Sequence, residues 1–195
     1  MIKIIGGIKR RQEIQVPPDN VRPTSAQKRE SIFSIIESYG IKNNHFIYRQ
    51  ANILDLFAGS GSLGLEAISR GAVFGYFYEN NYDVIQSLKK NCKKICKNDN
   101  FEIIKEDILK SQFKNINKKI SLVFIDPPYN INPFEQILLN IYQSEILSNN
   151  SIIVLECSCK SQITIPPYFT FFKERNYGKT KIFFLIYKVE ILSFS

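Results

Sequence analysis

Asp126-Pro127-Pro128-Tyr129 puts a carboxylate, two rigid residues and an aromatic ring in succession. The apolar run Ile120–Ile125 leads into it and reads as a buried strand. Neither proline can donate a ladder hydrogen bond, and each fixes its own φ, so the strand must end here. The residue before each proline is pushed to extended geometry. The chain therefore leaves the sheet stiff, with an acceptor at one end and a stacking face at the other. The Asp126 carboxylate is a hydrogen-bond acceptor, and the Tyr129 ring offers a stacking face.

Three further acids sit near the ends of β-prone runs. Asp55 lies in Ile53–Phe57, Glu79 follows Val73–Tyr78, and Asp107 comes two residues after Phe101–Lys105. In an open parallel α/β sheet the carboxyl ends of the strands form the ligand crevice, so these acids and Asp126 would share one rim. A lone acid after a strand is ordinarily a solvated loop residue or a helix cap; a succession of four argues for a site. Between Asp55 and Glu79 runs Gly59-Ser60-Gly61-Ser62-Leu63-Gly64, which fits G-x-G-x-x-G, with Glu79 20 residues after Gly59. The glycines let backbone approach a ligand, and an acid at that distance suits ribose hydroxyls. The same geometry serves any adenosine ligand. Asp55, four residues before Gly59, suits a charged amino-acid moiety better than a pyrophosphate.

Alternating elements must position these groups. The patterns predict strands at 53–57, 73–78, 101–105, 120–125 and 151–156, and helices at 63–70, 82–96 and 134–147. Such alternation implies a parallel sheet covered on both faces. The runs Phe169–Arg175 and Lys181–Lys188 predict an antiparallel hairpin at its edge. Ahead of this core, Ile2–Ile5 and Glu13–Val16 predict a hairpin with a basic connection. A helix then starts at an N-cap on Thr24 or Ser25 and stops at Gly40. Within one domain over 1–195, residues 1–40 form a basic extension and 51–195 the α/β core.

The net charge of +8 and pI near 9.3 favour a polyanionic partner. Residues 1–30 hold seven basic and three acidic side chains, a net +4 and half of the total. Concentration at one end is the footprint of a nucleic-acid face, for which Arg10, Arg11, Arg22 and Arg29 are the candidates. An internal ion pair with Glu30 or the rim is the rival role for Arg22. The lysines from Lys89 to Lys97 read as a solvated helix face. No apolar stretch is long enough to span a membrane, and no signal peptide is evident, so a soluble cytoplasmic protein is expected. The four cysteines and His45 lack zinc spacing; free, mostly buried thiols and no metal are expected.

Leu54-Asp55-Leu56-Phe57-Ala58-Gly59-Ser60-Gly61 together with Asp126-Pro127-Pro128-Tyr129 resembles an S-adenosylmethionine-dependent amino-methyltransferase. With the continuation from Ser62 to Gly71, and with Ile4-Ile5-Gly6-Gly7 and Val21-Arg22-Pro23-Thr24 upstream, the chain closely resembles the bacterial 16S ribosomal RNA guanine-(N2)-methyltransferase family, RsmD. The resemblance runs from the first hairpin to the terminal strand pair. It implies a Rossmann-like doubly wound seven-stranded sheet, mostly parallel with an antiparallel C-terminal strand. It implies S-adenosyl-L-methionine as cofactor, with Asp55, Phe57, Gly59, Ser60 and Gly61 around its methionine portion. Glu79 would bind the ribose, and Asp107 with Ile108 the adenine. Asp126, Pro127 and Tyr129 would hold the target guanine, and the partner would be 16S ribosomal RNA or the small subunit. A helix N-cap remains the rival role for Asp107, and packing under its loop the rival for Tyr129. The family usually has a glycine in the first basic turn where this chain has Arg11, which predicts a differently shaped turn. A monomer is expected. The alternatives are a DNA adenine amino-methyltransferase, disfavoured by the short chain, and a nucleotide-dependent oxidoreductase, for which Asp126-Pro127-Pro128-Tyr129 has no evident use.

Overall fold

The computed structural model describes residues 1–17, 25–44, 47–97, 100–128 and 131–189. Thr24, Arg22, His45 and Tyr129 lie outside these residues. The core is a seven-stranded sheet of β3 (Asn52–Leu56), β4 (Phe74–Tyr78), β5 (Phe101–Ile104), β6 (Ile120–Ile125), β7 (Leu147–Ser158), β8 (Phe169–Tyr177) and β9 (Thr180–Tyr187). Its order is β5-β4-β3-β6-β7-β9-β8. The five strands from β3 to β7 pair in parallel, and β9 runs antiparallel between β7 and β8. The strand order reverses between β3 and β6, the topological switch point where ligands bind in such sheets. This is the doubly wound fold that the sequence predicts.

Two apolar clusters cover the two faces. One holds Ile53, Phe77, Phe124, Ile152 and Phe184; the other holds Leu54, Tyr78, Val123, Ile153 and Leu185. The alternation along each strand explains the division, since successive side chains point to opposite faces. Helix α1 (Ala26–Lys42) packs Ile32, Phe33 and Ile36 into the first cluster. Each such buried side chain contributes about 1.5–3 kcal/mol. The Ser25 side chain caps α1 by accepting from the Lys28 N–H at 3.2 Å. Gly40 does not stop the helix. A glycine costs a helix only about 1 kcal/mol, and Asn43 satisfies the Tyr39 carbonyl through both its main chain and its side chain.

Helix α2 (Ser62–Ser69) is buried along its whole length, and α3 (Tyr82–Ile95) follows β4. Asn81 caps α3 by accepting from Asp83 and Val84. Helix α4 (Phe134–Gln143) is shorter than predicted, because Glu145 takes a left-handed conformation at φ 54° and turns the chain into β7. Strand β7 is correspondingly longer and carries an irregularity in its pairing with β6. Asn150, at φ 63°, absorbs it.

The N-terminal extension does form a hairpin, of β1 (Ile2–Lys3) and β2 (Glu13–Ile14). Its docking falls on the motif residues Ile5-Gly6-Gly7. The fully buried Glu66 carboxylate accepts the Ile5 and Gly6 N–H groups at 2.8 and 2.7 Å, and also pairs with Arg70 at 2.9 Å. The Ser69 carbonyl accepts the Ile8 N–H, and its hydroxyl accepts the Lys9 N–H. Gly7 has φ 73°, and a Cβ there would stand 1.8 Å from the Ser69 carbonyl oxygen, so only glycine fits. Arg70 reaches on to Glu37 of α1 and lies 4.8 Å over the Phe33 ring. Arg11 itself adopts the left-handed conformation, φ 71°, so the basic turn keeps a glycine-like shape at a cost of about 1–2 kcal/mol.

Two stability outcomes follow from this docking. Glu66→Ala is expected to destabilise the protein by about 3–5 kcal/mol, measured by urea unfolding, with faster amide exchange across residues 2–14; a loss under 1 kcal/mol would contradict the role given to Glu66. Arg11→Gly is expected to stabilise by about 1 kcal/mol, by relieving the left-handed residue.

Candidate active site

The glycine turn crosses the carboxyl ends of β3 and β4. Phe57 leaves β3 at φ 60°, Gly59 follows at φ 57° and Gly61 at φ 79°. The Ala58 N–H donates to the Tyr78 carbonyl at 2.9 Å, which fixes the turn to the end of β4. Gly64 lets α2 lie close on the sheet, since a Cβ there would meet Phe77 at 2.4 Å and the Asp55 carboxylate at 2.9 Å. This is the packing use of the third glycine in the pattern.

Asp55 is 2% exposed, and its Oδ2 accepts the Gly64 N–H at 2.8 Å. Burial pushes its carboxyl well above the ordinary range; the Gly64 hydrogen bond opposes this, while the charges of Asp126 and Glu79 raise it further. Asp126 and Glu79 thus lie close enough for their charges to act on Asp55. Glu79 is held in place by main chain. One oxygen accepts the Gly59 N–H at 3.0 Å, and the other accepts Asn80 and Asn81 at 2.9 and 3.0 Å. A carboxylate offers about four acceptor positions, so Glu79 keeps capacity for a ligand hydroxyl. Asp107 is exposed and accepts the Leu109 N–H at 3.1 Å, capping a short 3-10 turn over Ile108–Lys110. The cap predicted as its rival role is thus present, and it leaves the second oxygen outward, 3.7 Å from Lys110. Ile108 is buried beneath it.

Leu56 pairs with Ile125 across β3 and β6. Phe57 and Asp126, the next residue on each strand, consequently leave the sheet side by side at the switch point. Asp126 is half-buried, Pro127 buried and Pro128 exposed. The Pro128 carbonyl accepts the Ile131 N–H at 3.2 Å, tightening the turn after the acid.

The basic residues divide. Arg10 and Arg11 are exposed on the hairpin, and with Lys3 they line a groove of about 540 Å³ that runs to Ser25 and Ala26 at the start of α1. Arg29 also borders this groove, but from a buried position. It is 1% exposed, and its guanidinium donates to the Lys3 carbonyl at 2.7 Å. It fixes the hairpin to α1 because its place on the helix faces inward. A larger cavity of about 750 Å³, bordered by Glu37, Ile41, Tyr48 and Arg70, holds none of the predicted site residues that are described. Lys89, Lys90, Lys93 and Lys94 are exposed along α3, as predicted. Of the free cysteines, Cys92, Cys96 and Cys157 are buried and Cys159 is exposed.

Two polar features escaped the sequence reading. Lys28 and Glu156 form a largely buried ion pair between α1 and β7. Asn91, 2% exposed, lies in the apolar stripe Val84, Leu88, Cys92 and Ile95 of α3, and contacts both the glycine turn and the extension. An amide in such a stripe is the signal that could have found it.

Residues 2–186 match the family model described as Conserved hypothetical protein 95. A Buchnera aphidicola relative named Ribosomal RNA small subunit methyltransferase D is 36% identical over 156 residues, covering 80% of this chain and 77% of that protein. The solved structure of yhhF from Escherichia coli superposes with a TM-score of 0.80 at 27% identity, covering 96% of this chain and 98% of that one. At 14% identity and a TM-score of 0.61, over 88% of this chain and 97% of that one, the fold is shared with an RNA methyltransferase from Salinibacter ruber solved with S-adenosyl-L-homocysteine.

The raised Asp55 carboxyl gives a pH signature. In the unfolded chain an aspartate titrates near 3.9; in the fold it holds its proton to higher pH. Its contribution to stability is therefore full below about pH 4 and is lost as pH rises through the folded value. Asp55→Asn keeps an acceptor for the Gly64 N–H and removes the charge. Unfolding free energies from pH 4 to 8 are expected to show the variant gaining on the wild-type protein as pH rises; parallel profiles would contradict this.

Proposed function

The chain belongs to the family of Conserved hypothetical protein 95, the RsmD family, and from that premise we propose that it methylates the exocyclic 2-amino group of a guanine in small-subunit ribosomal RNA, with S-adenosyl-L-methionine as donor. One observation carries the reading: Asp126-Pro127 leaves β6 beside the glycine turn, at the point where the strand order reverses. An amine acceptor thus stands next to a cradle suited to an adenosine ligand.

The donor set fits S-adenosylmethionine. Glu79 would take the ribose hydroxyls, and the outward Asp107 oxygen the adenine amine over Ile108. The turn from Phe57 to Gly61 would lie against the methionine portion, with Asp55 holding that turn through Gly64. When bound, the sulfonium supplies an electrophilic methyl group.

A guanine 2-amino group is a weak nucleophile, because its lone pair is delocalised into the ring. The Asp126 carboxylate accepts one of its hydrogens and the Pro127 carbonyl the other. That pairing favours a tetrahedral nitrogen with its lone pair aimed at the methyl carbon, and it offsets the positive charge that develops there. The proton can leave after transfer, so no prior deprotonation is needed. Tyr129 would stack on a base extruded from its helix or loop, worth about 1–3 kcal/mol.

Arg10 and Arg11, with Lys3 in the adjoining groove, would hold RNA phosphates. Arg22 is retained as a candidate for the same work, whereas the inward position of Arg29 makes it the brace behind that surface. The protein would act as a cytoplasmic monomer on 16S ribosomal RNA or the small subunit, in one domain over 1–195.

Labelled S-adenosylmethionine offered with ribosomal RNA, small subunits and DNA in parallel, followed by identification of the product nucleoside, tests the proposal. N2-methylguanosine in ribosomal RNA is the expected product; methyladenine in DNA would favour the alternative chemistry. Asp126→Ala is expected to lower turnover at least 100-fold while cofactor affinity changes under threefold; unchanged turnover would sink the mechanism. Reversing both Arg10 and Arg11 to Glu should weaken RNA binding more at 50 mM than at 200 mM salt, because phosphate contacts are salt-dependent. Equal weakening at both salts would remove those arginines from the RNA face.

A further inference from the structure

We propose that Asn91 is a positioning residue that couples the basic N-terminal extension to the cofactor turn, so that RNA and S-adenosylmethionine each tighten the binding of the other. The inference rests on the functional reading above. Its physical basis is a single buried amide with three bonds. The Asn91 Nδ2 group donates to the Ser60 carbonyl at 2.9 Å and to the Gln15 carbonyl at 2.8 Å, and Oδ1 accepts the Gln15 N–H at 2.8 Å. Ser60 is the middle of the glycine turn. Gln15 directly follows β2, in the same hairpin that carries Arg10 and Arg11. No side chain of the turn or of the hairpin takes part, so both ends of the bridge are main chain.

Geometry makes this more than docking. Gly59 and Gly61 flank Ser60 with positive φ, and the Gly61 N–H donates to the Ala58 carbonyl at 2.7 Å within the turn. From outside, the turn is held by the Ala58 N–H on Tyr78, by Glu79 on Gly59, and by Asn91 on Ser60. Only the last of these reaches the extension. An amide at 2% exposure has no water to replace a lost partner, so its donors follow the two carbonyls together. If RNA holds the hairpin still, it holds Gln15, hence Asn91, hence the Ser60 carbonyl. A cofactor on the turn acts along the same bonds in reverse, as linkage requires. A second contact gives an internal control. Lys94, one turn further along α3, donates to the Glu13 carbonyl at 2.6 Å and so fastens the same hairpin without touching the turn.

The experiment measures S-adenosylmethionine affinity by calorimetry with and without a saturating fragment of small-subunit ribosomal RNA. The wild-type protein is expected to bind the cofactor at least fivefold more tightly with RNA present, the lower end of ordinary allosteric coupling. Asn91→Ala should reduce that factor below twofold. Asn91→Ser, a milder change, should show the same loss if the alanine variant does not fold. Lys94→Ala should keep the full factor. Coupling that survives in the Asn91 variants, or that is lost equally in Lys94→Ala, overturns the inference and leaves only a structural contact. A wild-type protein whose cofactor affinity ignores RNA overturns it as well. If the wild-type protein binds no S-adenosylmethionine at all, it is the functional reading that fails, and the relay falls with it.

Discussion

A carboxylate with no exposure to water organises this molecule. Glu66 is the one charged residue of α2, and burying its charge is unfavourable unless its lone pairs find partners. Two main-chain N–H groups of the hairpin and the Arg70 guanidinium supply those partners. The extension is thereby an obligatory part of the core, not an appendage. Through Arg70 the same charge reaches Glu37, so α1, α2 and the hairpin are fixed to one another around a single ion.

The same helix is fixed to the sheet by a second buried acid. Asp55 holds the Gly64 N–H, and Gly64 and Gly75 leave room for the Phe77 ring between helix and sheet. Eight helical residues, about 12 Å of rod, run from the glycine turn to Ser69, which itself bonds the hairpin. The two buried carboxylate contacts fall near the middle of that rod, at Gly64 and Glu66, two residues apart.

Much of this was legible from residue order. The strand ends carrying Glu79 and Asp126, the glycine turn and the terminal hairpin all follow from local chemistry: apolar alternation, proline as a terminator and glycine at positive φ. What stayed hidden depends on contacts between residues far apart in the chain. Arg29 looked like a surface cation, because its sequence neighbours are polar; its inward direction is set by the helical phase of Ile32, Phe33 and Ile36. Gly40 looked like a stop, because the capping by Asn43 cannot be weighed from composition. Ser148–Asn150 fell between a predicted helix and a predicted strand, yet β7 takes it in as an irregularity in its pairing with β6. Glu66 was read within a family motif, and its partners, some sixty residues upstream, could not be inferred from its own neighbourhood.

The placement of β9 has a bearing on how the chain is made. It lies between β7 and β8, although it is synthesised after both. Until Thr180–Tyr187 emerges from the exit tunnel, the apolar edge Ile152–Leu155 of β7 has no neighbour on that side, and β8 has nothing to pair with. The sheet therefore cannot close progressively during translation. Its last-made segment is its keystone, and a nascent chain arrested before it would present an open apolar strand to other chains.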